Sequence, residues 1–160
     1  MKPNPAESAV RERMAPGALS RDGFLGTDAR PLEDIISADM DALADAGVPR
    51  EALAELLEDI HERADANQEA PLSLYGGAVT AQATEVRGRI PCPFGDGHLA
   101  HKAVIDIRGD GIELRVTPLG IHMLRDHGFL QGRGAEFRVA PEQLLRLWRC
   151  VRGKGSVPSE

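Results

Sequence analysis

Aromatic side chains are scarce in this sequence: four Phe, one Tyr and one Trp, 4% of the chain. Its core must therefore be mostly Leu, Ile, Val and Ala. Cysteine is scarcer still. Cys92 and Cys150 stand far apart in the chain, too few for a disulfide framework, and in a reducing compartment they are expected to stay unpaired. No apolar run approaches the roughly 20 residues that a membrane-spanning helix needs. The first 25 residues also lack the apolar stretch behind a basic start that marks an export signal. A cytoplasmic protein with no membrane contact is the expectation. Also missing are the phosphate-binding fingerprints G-x-x-x-x-G-K-[ST] and G-x-G-x-x-G. No acid–base pair or nucleophile motif is recognisable, so the reading leans away from an enzyme.

What is present suits one α+β domain. The 160 residues can bury a core without staples, and 42% apolar with 28% charged is a globular balance. The net charge of −6 is unevenly spread. Residues 1–86 carry 7 basic and 17 acidic side chains, net −10, while residues 87–160 carry 12 basic and 8 acidic, net +4. An acidic helical half packed beside a basic half of the same chain accounts for this. Nucleic-acid binding through the basic C-terminal half is the sharper alternative, disfavoured because the excess is modest and mixed in sign.

Residues 1–30, rich in Pro and Gly, read as a flexible arm, with a short helix conceivable at Glu7–Met14. Residues 31–66 read as an acidic αα-hairpin. Leu32, Ile35, Ile36, Met40 and Leu43 form one stripe, Gly47 stops the helix and Pro49 opens the next, whose stripe is Leu53, Leu56, Leu57, Ile60 and Ala64. Those stripes offer more apolar surface than one small sheet covers, so a homodimer through the hairpin is conceivable. Residues 67–77 are a polar link, residues 78–152 an α+β core packed with the hairpin as a single domain, and residues 153–160 a flexible tail. The core should hold a small antiparallel sheet of three or four strands covered by two helices.

Within it, Ala78–Ile90 reads as a strand with Glu85, Arg87 and Arg89 on one face. Lys102–Arg108 and Ile112–Thr117 form a hairpin. Taking Asp110-Gly111 as a type I′ loop sets Arg108 opposite Glu113 and Asp106 opposite Arg115, which favours that register over one that opposes Asp106 to Glu113. Ile105, Ile107, Ile112, Leu114 and Val116 then face inward. Thr117-Pro118 is a helix start, with the end at Gly128. Ala135–Val139 is expected as a short strand, and Pro141–Arg152 as the last helix, with Leu144, Leu145, Trp148 and Val151 inward and Arg146, Arg149 and Arg152 on a basic edge.

The unusual stretch is Pro91–His101. Two prolines stiffen the backbone around Cys92, Gly95 and Gly97 permit a reversal, and His98 and His101 follow. Cys92, His98 and His101, with Asp96 as an auxiliary, are the candidate ligands of a zinc-type ion, since zinc accepts thiolate and imidazole together. The spacing lacks paired arms, and a strand beginning near His101 would point the two imidazoles apart. Cys92 as a nucleophile needs a histidine partner that sequence does not fix, so a buried inert thiol is preferred. His122 and His127 are five residues apart on one helix, a poor spacing for a shared ligand; His127 suits the negative helix end. The leading expectation is thus a non-enzymatic binding or accessory module engaging a protein partner, with Phe94, Asp96, Arg133, Arg146 and Arg149 as contact candidates. A zinc-type domain or metal-dependent enzyme on Cys92, His98 and His101 is the alternative.

Overall fold

A computed structural model describes residues 5–155. It contains helices α1 (Pro5–Met14), α2 (Leu32–Asp45) and α3 (Arg50–Ala66), and strands β1 (Leu72–Leu74), β2 (Val79–Pro91), β3 (Leu99–Gly109) and β4 (Ile112–Val116). Helices α4 (Pro118–His127) and α5 (Pro141–Gly155) follow. The strands form one antiparallel sheet in the order β1-β2-β3-β4, so the α+β class and the helix pair ahead of the sheet hold.

The β3–β4 hairpin has the register that charge pairing dictates: Asp106 opposes Arg115 and Arg108 opposes Glu113. Arg115 Nε donates to Asp106 Oδ1 at 3.2 Å. Ile105, Ile107, Ile112, Leu114 and Val116 are all buried. The turn type differs from expectation. Gly111 has φ 69°, but Asp110 is not among the residues with positive φ, so the loop is not the type I′ turn, which needs both.

Two strand assignments need correction. Ala135–Val139 is not a strand: it coils through turns, with Arg138 N–H donating to Ala135 O at 3.2 Å. The fourth strand is instead β1, within the stretch read as a polar link. On β2 the pairing jumps between Val86 and Arg89, leaving Arg87 and Gly88 (φ 100°) as a bulge, so Glu85, Arg87 and Arg89 share no uninterrupted face. Buried positions on β3 also change parity, from Ala103, Ile105 and Ile107 to Ala100. One face of the ribbon is covered at one end and the opposite face at the other.

That crossover makes two cores. The first lies between the sheet and α3, α4 and α5, around Ile60, Ile105, Ile107, Leu124 and Leu144. The second gathers Met14, Phe24, Ile35, Ile90, Cys92, Met123 and Phe129. Residues expected to be a flexible arm thus belong to a core: Met14 is fully buried, and Phe24 N–H donates to Met14 O at 2.9 Å. The apolar pattern of that arm is irregular, so its burial shows only in the tertiary structure. Residues 1–4 and 156–160 of the expected arm and tail lie outside the described residues. Helix α3 packs on α4 and β2, and α2 on α5, so most of both stripes is covered within the chain. Charge pairs join the halves: Asp39 with Arg138, and Glu58 with Arg125. Among the described residues no helix is long and apolar enough to cross a membrane.

Candidate metal centre

Helix α4 is defined at both ends by local chemistry. Thr117 Oγ1 accepts the Gly120 N–H at 2.9 Å, Pro118 occupies the first turn, and Gly128 closes the helix in the left-handed conformation at φ 66°. Between them the helix serves both cores, Ile121 and Leu124 toward one, Leu119 and Met123 toward the other. This leaves a narrow polar edge, on which His122 stands. His127 is in the final turn.

Facing them is the loop 92–98 at the tip of the β2–β3 ribbon. It is closed by Cys92 N–H donating to His98 O at 2.9 Å and Gly95 N–H donating to Cys92 O at 3.1 Å. Arg13 of α1 secures it from behind, its Nε donating to Pro93 O at 2.6 Å. At Gly95 (φ 77°) a Cβ would meet Arg13 Nη2 at 2.8 Å, so glycine serves both the reversal and the clamp.

Loop and helix bring four side chains to one point. Donor atoms of Cys92, Asp96, His122 and His127 all lie within 4.8 Å of one another. Nε2 of His122 and Nε2 of His127 each stand 2.7 Å from Asp96 Oδ2, and Cys92 Sγ lies 3.7 Å from His127 Nε2. In tetrahedral zinc sites, bond lengths of about 2.0–2.3 Å place neighbouring N, O and S ligand atoms about 3.3–3.6 Å apart. The observed separations bracket that spacing.

The rings are held in place. Phe94 stacks on His127 with centroids 4.0 Å apart and planes 8° apart, and His98 stacks on His122 at 3.7 Å and 6°. Asp96 Oδ1 accepts the His98 N–H at 2.9 Å, which leaves Oδ2 for the imidazoles. His122 Nδ1 lies 3.5 Å from Asp126 Oδ2, a carboxylate behind the ring of the kind that fixes the orientation of metal-bound histidines. Burial opposes ionisation of Asp96, but the His98 N–H and the two imidazoles together hold its carboxyl well below the usual carboxylate range. Burial pushes the Cys92 thiol up to about 11, and the Asp96 charge adds to this.

A nucleophilic triad is arranged differently. Its histidine faces the nucleophile through one ring nitrogen and the orienting carboxylate through the other. Here Cys92 and Asp96 meet the same nitrogen, Nε2 of His127, and the thiol is driven toward its protonated form. Convergence on a common point is what an ion requires.

The sequence-derived candidates divide accordingly. Cys92 is in the group. His98 is beside it as a stacking partner, and His101 is outside it, on β3 opposite Arg89. Asp96, an auxiliary candidate, is central. His122 and His127, expected to act separately, share one carboxylate oxygen, because Asp96 reaches them from a loop that no helical wheel includes. Of the contact candidates, Phe94 is committed to His127 and to an edge contact with Phe129. Arg133 is exposed, with its backbone N–H donating to Asp28 Oδ2 at 3.1 Å. Arg146 lies against Gly111, and Arg149 is exposed. No family model, curated protein or solved structure matches this chain.

Proposed function

We propose that Cys92, Asp96, His122 and His127 bind one divalent transition ion of the zinc class, which fastens the β2–β3 tip to α4. The supporting observation is the meeting of one sulfur, one carboxylate oxygen and two Nε2 atoms within 4.8 Å, the mixed S, N and O set that zinc accepts. Four protein donors suit a structural ion more than a catalytic one, which keeps a position open for water. The protein-partner reading assumed that Cys92, His98 and His101 stand apart; a different set, Cys92 with Asp96, His122 and His127, comes together, and that set gives the metal reading precedence.

The test is elemental analysis of protein purified without chelator and then loaded with zinc. Near one equivalent is expected for the native chain and for His98→Ala and His101→Ala, with loss in Cys92→Ala and His127→Ala. Cobalt loading should give thiolate-to-metal absorption that disappears in Cys92→Ala. Stoichiometry well below one after loading, or retained in His127→Ala, overturns the proposal.

A further inference from the structure

Beside the β2–β3 ribbon lies a cavity of about 290 Å³. Phe24, Val86, Ile90, Leu119 and Phe137 give it apolar walls, and none of the four converging side chains lines it. Its wall is secured on both sides of Phe24: Phe24 N–H donates to Met14 O and Gly132 N–H donates to Phe24 O, both at 2.9 Å. At Gly132 a Cβ would stand 2.2 Å from Leu25 O, so the two segments touch backbone to backbone.

Gln131 is the anomaly in this lining. The residue is only 3% exposed, and its backbone has φ 72°, a conformation that residues other than glycine rarely adopt. Arg138 Nη1 donates to its carbonyl at 2.7 Å while Nη1 and Nη2 grip buried Asp39, which holds the strained residue in place. Its side-chain amide has no hydrogen-bond partner among the described residues, and its atoms are not wholly sealed from solvent. A lining amide left without a protein partner, on a strained residue held by its surroundings, is characteristic of ligand sites.

We infer that this cavity binds a mostly apolar small molecule whose carbonyl head accepts a hydrogen bond from Gln131 Nε2. The volume suits about a dozen heavy atoms, at the small end of ligand pockets. A carboxamide head would also donate to Gln131 Oε1, whereas a carboxylate would only accept. Arg21 and Lys102 line the cavity together with Asp22 and Glu136, so the charges around it balance.

Three probes test this by titration calorimetry and methyl NMR: 4-phenylbutanamide, 4-phenylbutanoate and, as the headless control, butylbenzene. One of the two carbonyl probes should bind one-to-one, with shifts centred on Val86, Ile90 and Leu119. Gln131→Met should weaken that probe about tenfold, the worth of one hydrogen bond, and leave butylbenzene unchanged. Val86 is 45% exposed, so Val86→Trp should fold and block the mouth, abolishing binding. Preference for the amide or for the carboxylate identifies the head. Absence of binding by both carbonyl probes overturns the inference, as does equal binding of butylbenzene with no effect of Gln131→Met.

Discussion

Replacing Asp39 by alanine should cost far more than a typical charge deletion. Its side chain is 6% exposed and that of its partner Arg138 is 14%. Two charge-assisted bonds join them, Nη1 to Oδ2 at 2.8 Å and Nη2 to Oδ1 at 3.0 Å. An exposed ion pair is worth about 0–1 kcal/mol. Removing one member of a buried pair strands the other, at about 3–5 kcal/mol. After Asp39→Ala the Arg138 guanidinium retains the Gln131 carbonyl at 2.7 Å, which supplies a hydrogen bond but no countercharge. At about 2–4 °C per kcal/mol for a chain this size, Tm should fall by about 6–20 °C. Urea unfolding should show a lower midpoint with an unchanged slope. Asp39→Ala combined with Arg138→Met should recover part of the loss, because the stranded charge is gone. A single-variant loss below about 1 kcal/mol would refute the argument that this pair is sealed from water.

Three further outcomes can be checked. Thr117→Ala removes the acceptor of the Gly120 N–H and should destabilise by about 1 kcal/mol in urea unfolding. Asp28, 3% exposed at its side chain, accepts from Arg30 Nε, Nη2 and N and from Arg133 N. Arg30, against the opposing effect of burial, holds its carboxyl well below the usual carboxylate range. The stabilisation is therefore present above the unfolded-chain value of about 4 and lost as pH falls below it; the gap between native and Asp28→Asn urea midpoints should close there, and parallel midpoints down to acid pH would contradict this. Zinc at about a thousand times its Kd should stabilise by about 4 kcal/mol, raising Tm by about 8–16 °C, reversibly with EDTA; a Tm indifferent to both would count against an ion linked to folding.

What the sequence reveals follows the range of the forces involved. The β3–β4 register and both ends of α4 depend on neighbours a few residues apart: Arg108 with Glu113, Thr117 with Gly120, and the glycine at 128. The two corrected strands are harder. Ala135–Val139 alternates well enough for a strand, yet Arg138 is drawn to Asp39 99 positions earlier, and that pairing holds the segment out of the sheet. For the site, the cysteine and the unusual loop are visible in the sequence, but the partners of Asp96 lie 26 and 31 residues ahead on another element. Helical spacing alone separates His122 from His127; a single acceptor placed between them does not. The signal the sequence does hold is two histidines, His122 and His127, on one short glycine-terminated helix, together with the Cys92–His98 loop.

The contacts between the segment around Phe24 and the Gln131–Gly134 stretch have a consequence for biosynthesis. Asp28 and the backbone N–H of Arg133 are 105 positions apart. On the ribosome, Phe24 therefore emerges long before the backbone that anchors it, and it must wait unseated while the helices and the ribbon are made. Bulky fusions at the amino end should interfere late in maturation, at this final docking, and leave the already assembled sheet intact.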